Sequence, residues 1–595
     1  MTSFKTCLLL FILPAVLFSC AEKKTELTSA VSKDYVDFNY DVKPILSDKC
    51  FACHGPDVKK RQANLRLDEA SGAYQALKSD SVHFVIVPGK PDESEFVKRI
   101  LSEDPLYRMP PADANLSLTE EEKSILKRWI EQGATYKKHW AFIPPQKPEI
   151  PEGSSDWGSN EIDKFTFDKM QKVGLSPNPQ ADKVRLLRRV SFDLTGLPPS
   201  TKDVDEFLAD ESEAAYEKVV DRLLASETYG ERWANYWLDV SRYGDSHGYQ
   251  DDLPRVMWPW RDWVINAFNK NLSYDEFVTW QLAGDLLPNA TREQILATGF
   301  NRNHKITQEG GVIPEEYRTE YVVDRTNTFG KAFLAISVEC SRCHDHKYDP
   351  ISQKDFYSIY SFFNQAKEKG LINYGELPKP NIVITQTDLK DILKFINGKS
   401  IGPKDSVKVM VMADDQPRKT FILNRGVYDA PTNIEVSASA PESIMHYDSA
   451  AFGSNRLGLA RWLFDKKNPL TSRVFVNRLW QEIFGAGIVS TSENFGNQGN
   501  LPSHPELLDY LAVNFMERGW NIKAMLKLMV MSETYKQSSV SDRKKREQDP
   551  SNVYLARSSR YRMSGEIFAP ARSAKTFLNS SNGMFSSFRH TPSGE

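Results

Sequence analysis

Every cysteine beyond residue 20 of this chain falls into one of two copies of the same five-residue pattern, CxxCH, and that restricts what the chain can fold around. The copies are Cys50-Phe51-Ala52-Cys53-His54 and Cys340-Ser341-Arg342-Cys343-His344. A chain stapled by disulfides scatters its cysteines, and a structural zinc site more often supplies two CxxC pairs without a histidine after each. CxxCH is the attachment pattern of c-type haem: both thiols form thioethers with the porphyrin, and the adjacent imidazole becomes an axial iron ligand. Cys50, Cys53 and His54 are therefore read as a haem c site.

A second axial ligand is needed on the opposite haem face. Met109 is favoured, because Pro110 pushes it out of helical geometry onto an extended loop, and a thioether raises the reduction potential relative to a second histidine. His83 is the competing ligand, and a core methionine is the plain alternative. Val42, Ile45 and Leu46 share a helical face before the first CxxCH, with Pro44 tolerable only in an early turn. Thr119 and Glu122 form a capping box, Ile125, Leu126, Trp129 and Ile130 follow at helical spacing, and Gly133 closes the helix. Residues 35–140 thus read as a small helical haem domain.

The N-terminus carries Lys5 and an apolar stretch over residues 7–18 (CLLLFILPAVLF), too short to span a bilayer comfortably and followed by Ser19 and Cys20. Residues 1–19 read as a signal peptide. LFSC resembles the bacterial lipoprotein box, so Cys20 is the expected lipidation site and residues 20–34 a polar tether. An ordinary cleaved signal with an incidental cysteine is the plain alternative. The expected location is the periplasm or cell surface, held to the membrane by lipid.

Residues 50–55 (CFACHG), Leu65-Arg66-Leu67-Asp68, Ile86-Val87-Pro88-Gly89, Arg108-Met109-Pro110-Pro111 and Trp129-Ile130-Glu131-Gln132-Gly133-Ala134 together resemble the planctomycete-type cytochrome c module. That family typically continues into two large domains of uncharacterised function, and the rest of this chain resembles them. The resemblance implies a haem-bearing envelope protein and brings no established reaction with it. The family usually continues past the position of Glu595, so the C-terminal region is expected to be truncated.

With 595 residues, the chain should hold about three or four domains at roughly 150 residues each. The proline-rich stretch 141–156 reads as a semi-rigid linker. Residues 157–370 form a helix-rich companion domain containing the second CxxCH, 371–445 a β-rich insertion, and 446–595 a second helix-rich domain. The fold class is therefore mainly α and multidomain, a small cytochrome c-like module followed by large helix-rich domains with a small β-rich insertion. Seven of the twelve tryptophans lie between Trp157 and Trp280. Aromatic residues at helical spacing, such as Trp233 and Trp237, point to core packing before carbohydrate stacking. Gly196 marks a helix end, and Ser503 with Glu506 suggests a second capping box.

Three readings of Cys340, Cys343 and His344 stand side by side: a second haem c, a non-haem metal site completed by a nearby histidine, and a local disulfide or thiol pair. Distal candidates are His346, His304, His247 and Met257. Asp239, Asp245, Glu309, Glu320 and Asp324 are read chiefly as surface charges or as partners of Arg242, Arg318 and Arg325. No phosphate-binding loop, serine-hydrolase elbow or HExxH motif is present. The net charge of −3 argues against a nucleic-acid binder, and the run Lys544-Lys545-Arg546 reads as a solvated surface. The leading expectation is an exported, lipid-anchored electron carrier that exchanges with redox donor and acceptor proteins of the envelope and is coupled to a redox reaction in the large domains. A protein binding or hydrolysing an extracellular polysaccharide, with an accessory cytochrome module, is the alternative, and a non-catalytic scaffold comes third.

Overall fold

The computed structural model describes residues 35–560 except 59, 78–79, 153–156, 159 and 392–405. The expected signal peptide, the expected tether with Cys20, and everything after residue 560 lie outside the described residues. Among those described, no helix is long and apolar enough to cross a membrane.

The N-terminal module begins where the Asp37 carboxylate accepts the main-chain N–H groups of Asn39 and Tyr40 at 2.8 and 3.3 Å. This satisfies donors that a helix start leaves orphaned. A wide helical turn over Phe38–Val42 then runs into the helix Lys43–Lys49, with Pro44 in its first turn, where a missing N–H costs nothing. Val42, Ile45 and Leu46 are buried on its inner face.

The Glu120–Glu131 helix opens on the expected capping box: Glu122 N–H donates to Thr119 Oγ1 at 3.2 Å, and Thr119 N–H to Glu122 Oε2 at 2.6 Å. Its inner face buries Leu126, Trp129 and Ile130, each worth roughly 1.5–3 kcal/mol on the area scale. Gly133 follows with φ +101° and ends it. Phe38 packs 5.7 Å from Trp129 and 4.7 Å from Tyr136, joining the two helical segments around one small core.

The larger body has one continuous apolar core running through all three regions that follow the proline-rich stretch. Trp233, Trp237, Trp260 and Trp263 are fully buried in it, which agrees with the core reading of this tryptophan-rich region. Trp237 Nε1 donates to Gln281 Oε1 at 2.8 Å, and Trp260 Nε1 to the Ala297 carbonyl at 2.9 Å. The two helix-rich regions share this core because Tyr274 stacks on Phe475 at 3.7 Å, with Phe515 and Trp520 around the pair. Asn381–Ile384 pairs antiparallel with Val407–Met410, and Thr420–Leu423 with Pro431–Val436. These two strand pairs turn Ile384, Val409, Met410 and Val436 into the same core.

Gly196, in the left-handed conformation, ends the Lys183–Thr195 helix as expected. Two local expectations change. The second capping box does not form: the helix starts at Pro505, whose fixed φ initiates it, and the Ser503 hydroxyl is engaged with His504 Nδ1 at 2.9 Å. The proline-rich stretch is not free at its start: Ala141 and Phe142, with Trp140 just ahead of it, are buried in the body's core. Arg473 also donates to the Ile143 carbonyl at 2.6 Å, and Trp140 lies 5.5 Å from Phe495.

Candidate haem site and the second CxxCH

Cys50 terminates the Lys43–Lys49 helix and opens the short turn Phe51–His54. Within it, the Cys53 and His54 N–H groups both donate to the Cys50 carbonyl, at 3.1 and 2.9 Å, which places the two thiols and the imidazole on one tight turn. Gly55 is required there, since a Cβ would lie 2.4 Å from the Phe51 carbonyl oxygen. The turn is tied down further: Gln62 N–H donates to the Cys53 carbonyl and Leu67 N–H to that of His54, each at 2.8 Å, and the Arg61 side chain donates to the carbonyls of Gly55 and Pro56.

Cys50 and Cys53 are free thiols. Burial pushes the Cys50 thiol up to about 12, with Glu122 and Cys53 acting in the same direction. His54 is partly buried, and its Nδ1 has no hydrogen-bond partner in the protein. Burial lowers its pKa, the Gln62 main chain opposes this, and the Arg99 guanidinium adds to the lowering.

Arg99 also connects this turn to the loop of Met109. Met109 N–H donates to the Arg99 carbonyl at 3.0 Å, at the end of the helix Glu95–Leu101. The Arg99 side chain pairs with Glu95 at 2.9 Å and lies 4.5 Å over the Tyr107 ring, while the Tyr107 hydroxyl donates to Glu95 at 2.7 Å. Met109 is thus a partly buried thioether on a braced loop whose bracing arginine also acts on His54. His83 is exposed on the strand Asp80–Phe84. Two free thiols one turn apart, an imidazole with an unpartnered buried nitrogen, and a braced thioether loop fit the requirements of a covalently attached haem.

The second CxxCH repeats the local fold. Cys343 and His344 N–H groups donate to the Cys340 carbonyl at 3.3 and 3.4 Å, and both thiols are free and exposed. Cys343 Sγ donates to the Arg425 carbonyl at 3.2 Å. The motif is clamped by its middle residues: buried Ser341 donates to the Ile351 carbonyl, and Arg342 pairs with Glu320 at 2.5 Å and donates to the Gly426 carbonyl. His344 is exposed, with Nδ1 2.7 Å from the Asp345 carbonyl.

Among the described residues, no group of three or more His, Cys, Asp or Glu side chains is gathered as a metal cage. Of the distal candidates, Met257 is buried in the core, and His304 is committed through both ring nitrogens, to the Lys305 carbonyl and to Arg325 at 2.8 Å each. His247 is buried with Nδ1 unpartnered. His346, two residues beyond His344, is buried and accepts Asp349 N–H on Nδ1 at 2.8 Å.

Asp324 pairs with Arg242 at 2.8 Å as expected, but Arg318 pairs with Glu315 at 2.6 Å and Arg325 with Glu368, neither of them among the acidic residues expected there, and Glu320 pairs with Arg342. Glu368 and Arg302, which joins it at 2.5 Å, were not marked by any motif. Asp245 accepts the Tyr243 hydroxyl at 2.6 Å, and Glu309 the Gln250 N–H at 2.6 Å. A surface cavity of about 370 Å³ lined by Arg185, Arg188 and Arg189 contains none of the candidate haem residues.

Comparison with known families assigns the same three parts. Residues 50–113 match the Planctomycete cytochrome C model, and residues 161–368 and 455–577 match two models each described as Protein of unknown function, DUF1549 and DUF1553. No curated protein and no solved structure matches the chain.

Proposed function

Because the chain belongs to the planctomycete-type cytochrome c multidomain proteins, with the cytochrome module ahead of its two companion domains, we propose that it is an electron-transfer protein of the cell envelope. The observation that carries this reading is the pairing of a CxxCH turn bearing an unpartnered imidazole nitrogen with a braced methionine loop. A haem bound there supplies one-electron redox chemistry. Cys50 and Cys53 would hold it covalently, with His54 and Met109 as axial ligands. The protein's own contribution is positional: Gly55 permits the tight turn, Arg61 ties it, and the Arg99–Glu95–Tyr107 cluster fixes the loop.

Export through the leader and anchoring through an acylated Cys20 complete the proposal, placing the module where envelope donors and acceptors reach it. Mass spectrometry of the mature N-terminus checks the anchor; an unmodified terminus elsewhere removes it. For the haem, the purified protein is assayed for covalent haem and titrated potentiometrically. The oxidised form should show a sulfur-to-iron charge-transfer band, and Met109→Ala should abolish the band and lower the potential. A band that survives that substitution overturns Met109 as ligand. A protein without covalent haem, or with haem that cycles with no donor or acceptor, overturns the electron-transfer reading in favour of action on a polymer.

A further inference from the structure

The second CxxCH is held firmly beneath its sulfur atoms and left open above them. Ser341, between the two cysteines, is buried and donates to the Ile351 carbonyl at 3.2 Å. Arg342 pairs with Glu320 at 2.5 Å and donates to the Gly426 carbonyl at 2.9 Å, while its own carbonyl accepts the Gln353 side-chain amide at 3.0 Å and the Tyr357 hydroxyl at 3.1 Å. The turn therefore keeps its shape without help from the thiols. Cys340 and Cys343 are both exposed, and the bond from the Cys343 N–H to the Cys340 carbonyl closes a four-residue turn. A turn closed in that way brings its first and last Cα atoms within about 7 Å, the limit for bridging by a disulfide.

The two sulfurs are not equivalent. Cys343 donates its S–H to the Arg425 carbonyl at 3.2 Å, and two successive left-handed residues fix that acceptor, Arg425 at φ 52° and Gly426 at φ 73°. A Cβ on Gly426 would lie 2.8 Å from Arg342 Cγ and 3.1 Å from Cys343 Sγ, so glycine is what lets the loop come this close. A hydrogen bond given to a carbonyl oxygen favours the thiol over the thiolate, which would face the negative end of that dipole. Cys340, by contrast, is exposed and its sulfur has no hydrogen-bond partner among the described residues. Among those residues no third metal-ligating side chain is gathered beside the pair, and the Arg425–Gly426 loop packs against the Cys343 sulfur. A bridge closing so short a loop removes little chain entropy, so a purely structural disulfide would contribute little. What remains is a pair of thiols that can be bridged and released without disturbing the fold.

We propose that Cys340 and Cys343 form a thiol–disulfide exchange site acting on a disulfide presented by a partner, with Cys340 as the attacking thiol and Cys343 as the resolving one. This is independent of the haem module. The Cys340 thiol loses its proton, and its sulfur attacks one sulfur of the partner disulfide. That S–S bond breaks, a mixed disulfide forms, and the leaving sulfur takes up a proton. Cys343 then gives up the proton it shares with the Arg425 carbonyl, and its sulfur attacks that of Cys340. The mixed S–S bond breaks, the Cys340–Cys343 bridge forms, and the second partner sulfur leaves as a thiol. Two electrons and two protons pass from the pair to the partner, and a dithiol reductant running the same steps in reverse reloads the site.

The test uses the full chain, with the peptide holding Cys340 and Cys343 read by alkylation and mass spectrometry so that Cys50 and Cys53 do not interfere. Equilibrated in mixtures of reduced and oxidised glutathione, the pair should pass reversibly from dithiol to bridge with a two-electron dependence on the buffer. Given oxidised glutathione, Cys343→Ser should accumulate a mixed disulfide on Cys340 at least about tenfold faster than Cys340→Ser does on Cys343. Bridge formation in the reduced wild-type chain is then timed with oxidised glutathione and with insulin; faster reaction with insulin marks a protein partner, and faster reaction with glutathione a small one. Covalent haem on the Cys340–Cys343 peptide overturns the inference and leaves the module's role as it is. So does a pair that stays unbridged, or stays bridged, across the whole buffer series. Equal trapping on the two thiols overturns Cys340 as the attacker. The wild-type titration needs no variant, so it decides even where a serine substitution fails to fold.

Discussion

Arg325 directs both terminal guanidinium nitrogens at the carboxylate of Glu368, and the two side chains are almost wholly buried. Arg302 joins the same carboxylate at 2.5 Å, so one anion serves two cations inside the body. Burial alone would raise the Glu368 pKa, but Arg325 and Arg302 hold it below the usual range. Removing the shared anion leaves two buried guanidinium groups without their counter-charge. Glu368→Gln keeps the shape and is expected to cost about 3–5 kcal/mol, the loss typical of one partner of a buried ion pair. Urea denaturation followed by tryptophan fluorescence checks this, and a loss below about 1 kcal/mol would refute the network's structural role.

Lys43 gives the module a pH signature. Burial brings its ammonium down to about 8 from 10.5, against the opposing pull of Asp349 and Asp68, and its charge is also felt by buried His139. Between about pH 8 and 10.5 the unfolded chain keeps a proton that the folded chain has released, so this group makes stability rise with pH across that window. Below about 8 both states are protonated and the full cost of the buried charge remains. Lys43→Met should therefore stabilise the protein at neutral pH and flatten the alkaline rise. A melting temperature that is lower in Lys43→Met at pH 7 would show that the ammonium is a net contributor.

Signals that act within one or two turns were legible in the sequence. The Thr119–Glu122 box, Gly133, Gly196 and both CxxCH turns form where their residues place them, because capping and covalent spacing are local. Ser503 shows the limit: its hydroxyl had a competing neighbour in His504, and the proline one step on set the helix start. The hydrogen bond from Ser47 to the Asn497 carbonyl spans 450 residues and carries no motif, and neither does Glu368 in its loop. Trp140 ends the stretch read as the haem domain and Phe142 lies in the stretch read as spacer, yet both are drawn into a core that the sequence divides into three regions. Which apolar face meets which is settled by packing between distant segments, and periodicity alone does not encode it.

The buried histidines set the acid limit. His139 and His304 are held well below 6.5 by burial and then by nearby cations, Lys43 and Arg473 for one and Arg325 and Arg302 for the other. Burial takes His504 down to about 3. Above pH 6.5 these imidazoles are neutral in both folded and unfolded chains. As the pH falls below that value the unfolded chain binds protons that the folded chain refuses, so stability is lost progressively, for His504 down to about pH 3. The urea midpoint should drop between pH 7 and pH 5. His504→Gln, which keeps a hydrogen-bonding group beside Ser503 without titrating, should reduce that drop; an unchanged drop would assign it to other groups.

Arg99 and Glu95 should tune the module's potential in opposite directions. The guanidinium acts on His54 and braces the Met109 loop, while Glu95 offsets part of its charge at 2.9 Å. A positive charge near the iron disfavours the oxidised state, so removing it should lower the potential, and removing the neighbouring negative charge should raise it. Arg99 contributes its carbonyl, not its side chain, to the hydrogen bond from Met109, so Arg99→Gln should keep that bond and the sulfur-to-iron band while shifting the potential down. Glu95→Gln should shift it up. The pair is partly solvated, so both shifts should shrink as salt is added. Potentiometric titration at low and high ionic strength reads all of this. If both variants move the potential the same way, or lose the band, the cluster acts by holding the loop's shape and not by its charge.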